Sequence, residues 1–314
     1  MRHLILLICA LLCACSRTES DQRIVLGFSQ VGSESAWRRA NTESIKSAAA
    51  TSNIKLLFAD AEQSQANQIA AIRDFIRQRV DVIAFSPVVA TGWDEVLREA
   101  RDARIPVILT DRTVTADPSL YAGFLGSDFV EEGRRAARWL VTQFEESAPE
   151  VNIVQLEGTR GATPAIDRQK GFEEIIAQHP RFRIVRSESG DFSREGGKAA
   201  MTGILDSRPG RIHAVYAHND DMALGAIEVL DERGLKPGQD VLIVSIDAVR
   251  AAFEAMIAGK LNATVECNPL LGPQLMTSVT EVVSGRPIAR RILVDEEPIF
   301  TADTARQLIQ TRKY

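Results

Sequence analysis

Beyond residue 22, short apolar runs rich in β-branched residues alternate with amphipathic segments. Residues 23–29 (RIVLGFS) predict a strand, 34–51 a helix and 54–59 a second strand. Over 63–79, Ile69, Ile72, Phe75 and Ile76 recur at helical spacing and give that segment one apolar face. Strands are predicted at 82–86 (VIAFS), 105–110 (IPVILT) and 121–126, with helices at 93–103 and 130–144. A second series repeats the pattern, with strands at 151–156, 182–187, 212–217, 241–246 and 263–266. Its helices fall at 165–178, 194–205, 221–233 and 251–258. Runs such as VLIVSI are apolar at every position, as in parallel strands covered by helices on both faces. Two series of βα units predict an α/β fold of two doubly wound parallel-sheet domains. A further helix at 273–283 and a strand at 291–294 suggest that the chain returns late to the first domain and finishes in the second.

The first fifteen residues break this pattern. Arg2 and His3 precede an unbroken apolar run from 4 to 12. This run is far shorter than the ~20 residues that span a bilayer, and it reads as a signal-peptide core. It ends in Leu12-Cys13-Ala14-Cys15, which resembles a bacterial lipobox with Cys15 as the lipidated residue; ordinary cleavage after small residues is the alternative. Polar residues 16–22 then form a tether. The expected location is the periplasm, with Cys15 as a candidate lipid anchor. With 314 residues, 45% hydrophobic and 25% charged, the composition is that of a globular protein with room for two domains. The net charge of -5 gives no footing on phosphate backbones, so nucleic acid is not the expected partner. Cys9, Cys13 and Cys15 belong to the leader. Cys267 is left alone in the body, without an internal disulfide, and is expected as a small buried side chain.

Ligands of open α/β sheets sit at the carboxyl ends of the strands, and polar residues gather at those junctions here. After the first strand, Ser33 and Glu34 can bond sugar hydroxyls and Trp37 can stack on the C–H face of a ring; a helix cap at Ser33 and a core position for Trp37 are the plainer alternatives. Asp111 and Arg112 follow the fourth strand and pair an acceptor with a planar donor. Arg168 lies within a helical stretch beside Asp167, where a solvated pair is the alternative. Phe192 suits either a ligand face or the core. Asn219 opens a helix after HAVYA and carries both a donor and an acceptor, although it also suits an N-cap. Asp247 and Glu266 end strands, where turn and solvated positions compete. The set points to a polyhydroxylated ligand; no single position does.

The segments GFSQVGSESAWRRA, SPVVATGW, LTDR, AIDRQKGF, SGDFSREGGK, YAHNDDMALGAIEVL and VSIDAV resemble the type I periplasmic sugar-binding proteins, most of all their galactofuranose-binding branch. The similarity runs from about residue 23 to the last helix. It implies two α/β domains joined by a three-strand hinge and closing on one monosaccharide. The implied bounds are 23–127 with 266–288 for the N-terminal lobe, and 128–265 with 289–314 for the C-terminal lobe. Ser33, Glu34, Trp37, Asp111 and Arg112 are implied as sugar contacts from the first lobe. Arg168, Phe192, Asn219, Asp247 and Glu266 are implied from the second lobe and hinge. The branch carries a disulfide across its second domain that this chain lacks. An ABC transporter permease is the implied partner, for a monomeric binding protein without a cofactor.

Three rivals have distinct signatures. A repressor of similar fold needs a helix-turn-helix headpiece, and a signal and tether occupy that space. A sensor that presents sugar to a chemoreceptor or membrane kinase shares the same site, and an uptake assay separates it from an importer subunit. An enzyme using a nicotinamide cofactor needs G-x-G-x-x-G after the first strand, which GFSQVG does not supply; the four His fall in no metal-ligand spacing. A glycosidase carboxylate pair remains a formal option.

Overall fold

Among the described residues, the apolar runs form two six-stranded sheets. The computed structural model describes residues 23–145, 150–208, 210–295 and 298–314; the signal segment, Cys15 and the tether lie outside them. The first series gives β1 (Val25–Gln30), α1 (Ala36–Thr51), β2 (Lys55–Asp60), α2 (Gln65–Arg77), β3 (Val82–Phe85), α3 (Asp94–Asp102), β4 (Val107–Thr110) and β5 (Gly123–Gly126). The second gives α4 (Phe129–Thr142), β6 (Val151–Glu157), α5 (Thr163–Ile176), β7 (Phe182–Ser189), α6 (Arg194–Asp206), β8 (Ala214–Ala217), α7 (Asp220–Glu232), β9 (Leu242–Asp247), α8 (Arg250–Ile257) and β10 (Ala263–Glu266). The chain ends with α9 (Gly272–Val283), β11 (Arg291–Leu293), β12 (Phe300–Thr301) and α10 (Ala302–Leu308).

The first sheet runs β11-β5-β4-β3-β1-β2 with every pair parallel. Ile83, Phe85 and Leu109 point to a layer made with α2 and α3, while Val82, Ala84 and Ile108 point to one made with α1 and α9. This is the two-residue alternation of a strand buried on both faces. The second sheet runs β12-β10-β9-β8-β6-β7, parallel except for the short β12. Helix α4 packs on α5 in the second lobe, and Gly133 and Gly171 allow the approach: a Cβ on either would overlap main chain of the facing helix.

The chain crosses between lobes three times, at 126–129, 266–272 and 293–300. The last crossing corrects the expected boundary at 288–289. Strand β11 pairs with β5 in the first sheet, so the first lobe keeps the chain through Leu293.

Candidate functional site

One cavity lies between the lobes. The first lobe lines it with Glu34, Ser35, Trp37, Arg38, Asp111 and Arg112, the second with Pro164, Arg168, Phe192, Asn219 and Asp247, and the hinge with Cys267. Asn219 is 1% and Arg112 2% exposed, so the cleft is shut.

The first-lobe groups come from the ends of β1 and β4. Ser35, with extended backbone, caps α1 by accepting from the Arg38 amide, and the first turn of the helix aims Trp37 and Arg38 inward. Arg38 Nη1 lies 2.8 Å from Asp111 Oδ2 and its Nε donates to Glu34 Oε1 at 3.3 Å. Ser86 Oγ donates to the same Asp111 oxygen at 2.8 Å. Arg112 donates through Nη1 to Val88 O at 3.0 Å, while its Nε and Glu34 Oε2 are buried without a hydrogen-bond partner. An unpaired donor and an unpaired acceptor thus sit on two cavity-lining residues, the pairing that a hydroxyl satisfies. Burial alone would raise Asp111, but Arg38 and Arg112 outweigh it and hold the carboxyl below the usual range. Burial, with Arg38 nearby, pushes the Arg112 guanidinium down to about 10.

In the second lobe main-chain atoms share the anchoring with buried carboxylates. Arg168, on α5, donates through Nη1 to His218 O at 2.5 Å and through Nε to the buried Glu132 at 2.8 Å, with Nη2 3.5 Å from Asp247 Oδ1. Asn219 caps α7 by accepting from the Met222 amide at 3.0 Å, and its Nδ2 donates to Phe192 O at 3.0 Å. Phe192 has φ 61 and follows Asp191 at φ 50; its ring lies against Gly158, where any Cβ would overlap it. Burial raises Asp247 well above the ordinary carboxyl value, with Arg168 opposing. Burial also raises Glu132 despite Arg168, and it holds His218 neutral, down to about 3.

Among the described residues, three hydrogen bonds tie the lobes together around this cavity, and a fourth, from Trp37, ties the first lobe to the hinge. The Ala36 amide donates to Asp221 Oδ2 at 2.9 Å, and Trp37 Nε1 donates to Cys267 O at 2.7 Å. The Ala90 amide donates to Gly161 O at 2.8 Å, and the Thr113 amide to Thr163 Oγ1 at 3.2 Å.

Eight of the ten residues expected at the site line this cavity; Ser33 and Glu266 do not. Ser33 is exposed, and its carbonyl accepts from Arg39; Ser35, two residues on, is the cap. Glu266 Oε1 accepts from Arg312 and from the Tyr314 hydroxyl, both at 2.8 Å, away from the cavity. Arg168 is buried rather than the solvated helix residue that its sequence context allowed. Arg38 was missed. Its signal was the i,i+4 spacing from Glu34, which puts both on one face of the first turns. Cys267 is buried and free of any disulfide. Among the described residues no group of His, Cys, Asp or Glu is placed to hold a metal ion, and no helix is long and apolar enough to cross a membrane.

Two lobes of parallel sheet closing on a small polar cavity between the strand ends define a two-lobed solute-binding protein. The chain belongs to the periplasmic binding protein domain family, whose model matches residues 26–287. It is 42% identical over 312 residues to the galactofuranose-binding protein YtfQ of Escherichia coli (strain K12), covering 98% of each chain. A Mycobacterium smegmatis protein solved with β-D-fucofuranose is 53% identical, with TM-score 0.90, 93% of this chain and 95% of that one covered. The binding component of the arabinose ABC transporter from Shewanella sp. ANA-3, solved with α- and β-L-arabinofuranose, is 46% identical, with TM-score 0.88 over 92% and 95%.

Proposed function

We propose that the protein is the solute-binding component of an ABC importer and captures one monosaccharide in its five-membered-ring form, galactofuranose or a close relative. The observation that carries this reading is the convergence of Glu34, Arg38, Asp111 and Arg112 from one lobe with Arg168, Asn219 and Asp247 from the other on a single cavity. Carboxylates and guanidiniums together accept from and donate to neighbouring hydroxyls, while Trp37 and Phe192 supply apolar faces for C–H groups. The likeness to relatives that hold furanoses supports the ring form.

Sugar first meets one open lobe, and closure then brings the other lobe's groups to it. The sugar favours closure only through contacts that exist in the shut state. It leaves chemically unchanged, and a membrane permease receives the shut form. Export to the periplasm, tethering through a lipidated Cys15 and a monomeric state belong to the same reading; intact-mass measurement and light scattering test the last two. Calorimetry with D-galactose, D-fucose, L-arabinose, D-ribose and D-fructose, followed by NMR of the bound sugar, tests the core of it. Heat from furanose-forming sugars, with the furanose form recovered unaltered, is expected. No heat from any of them, or preference for a locked pyranoside, overturns it.

A further inference from the structure

We propose that Arg312 is a positioning residue for the cavity: its guanidinium joins the strand end carrying Asp247 to the hinge crossing carrying Cys267. The inference rests on reading the cavity as the sugar site.

Asp247 and Ala248 adopt φ of 126 and 63. Non-glycine residues in such regions are strained, and they persist only where the surroundings hold them. Two bonds hold this turn from within the lobe: the Ala248 amide donates to Thr264 Oγ1 at 3.1 Å, and the Val249 amide to Asp220 Oδ2 at 2.8 Å. Further holds come from residues 309–314. Arg312 Nε donates to Ala248 O at 2.6 Å, the Arg250 amide to Tyr314 O at 2.7 Å, and Arg250 Nη1 to Ile309 O at 2.9 Å.

The other edge of the same guanidinium reaches the hinge. Nη1 bonds Glu266 Oε1 at 2.8 Å, Nη2 donates to the Tyr314 hydroxyl, and that hydroxyl donates to the same Glu266 oxygen at 2.8 Å. Glu266 directly precedes Cys267, whose carbonyl receives Trp37 Nε1. The Cys267 amide in turn donates to Asp247 O at 3.4 Å. One planar fork therefore spans two chain segments, and each delivers a cavity-lining residue. The guanidinium is boxed by the rings of Phe253, Phe300 and Tyr314, with centroids at 5.0, 5.1 and 4.0 Å. Lysine, a point charge with three rotatable donors, lacks the fixed planar fork that reaches both segments. Glu266 thereby acquires a role: it orients the fork and does not read the sugar.

The test compares Arg312→Gln and Arg312→Lys with Phe182→Leu, a core change on β7 at the far edge of the same sheet. Calorimetry with D-galactose and L-arabinose should show affinity falling about tenfold or more in both Arg312 variants. Phe182→Leu, even with an equal loss of melting temperature, should bind as wild type. In an Asp247→Asn background, Arg312→Gln should add little further loss, because it acts through that residue. Wild-type affinity in Arg312→Gln, or full additivity with Asp247→Asn, overturns the proposal. Hydrogen exchange on the unliganded protein gives a readout independent of sugar: the Ala248, Val249 and Cys267 amides should exchange faster in Arg312→Gln, with β7 unchanged. Unaltered exchange there also overturns it. If wild type gives no heat with either sugar, the sugar reading fails and exchange alone decides the clamp.

Discussion

In the first lobe, Arg38 stands between Glu34 and Asp111 and takes its orientation from side chains. In the second, Arg168 is held by the buried Glu132 as well as the His218 carbonyl, and Asn219 takes its orientation from the Met222 amide and the Phe192 carbonyl. One half of the site is a buried charge network throughout, and the other joins the buried ions around Arg168 to an Asn219 grafted onto the backbone. A buried network is sensitive to loss of any one partner, because the charge left behind is unpaired. A backbone-anchored group loses only its own bonds, but its removal also loosens the element it caps.

The largest effect that separates the halves is expected at Asp111. Asp111→Ala leaves two buried guanidiniums, Arg38 and Arg112, to share Glu34 as counter-charge, a cost of about 3–5 kcal/mol. Calorimetry should therefore show sugar affinity down by at least about 100-fold, and a tenfold loss or less would show that the network is not coupled. Next comes Asn219→Ala. It should weaken binding about tenfold and also cost about 1 kcal/mol of stability in urea unfolding through the lost cap; an intact urea midpoint would contradict the second half of the comparison.

The acids sharpen the contrast through pH. Asp111 is held below its ordinary value, so its contribution to stability is lost only as pH falls through its lowered folded-state value. Asp220, which accepts from Ser245, Thr264 and the Val249 amide, is pushed up to about 7 by burial. Its folded state binds the proton more tightly than the unfolded chain, so stability should fall as pH rises from about 4 to about 7. Thermal unfolding of wild type measured against Asp220→Asn should show this decline, and a flat difference across that window would refute it. The smallest effect is expected at Ser33→Ala, whose affinity should match wild type because the exposed side chain lies outside the cavity; a clear loss would return Ser33 to the site.

Much of the fold was legible because parallel βα units leave a strong periodic trace. The strand-end rule then located Asp111, Asn219 and Asp247 without knowledge of any contact. The misses have definite causes. Arg38 and Arg39 are adjacent and chemically identical, and only the turn of α1 decides that the first is buried and the second exposed. Ser33 and Ser35 both suit a cap, and the choice depends on where α1 begins. Glu266 lies in register with Asp247, which favours a shared face. The positive φ at Asp247 and a partner 46 residues away, Arg312, separate their fates. The strand at 291–294 was expected but assigned to the wrong lobe, because β11 is only three residues long with partly exposed side chains, and its pattern does not say which sheet it joins.

The three hydrogen bonds that bridge the lobes contain no sugar atoms, so they favour the shut shape whether the cleft is loaded or empty. Each one tunes how selectively the shape reports occupancy. Weakening the bridge between the Ala36 amide and Asp221 leaves every sugar contact in place and lowers apparent affinity through the population of competent molecules. The same change widens the gap in conformation between bound and unbound protein. Tightness of capture and fidelity of signalling therefore pull against each other at this latch.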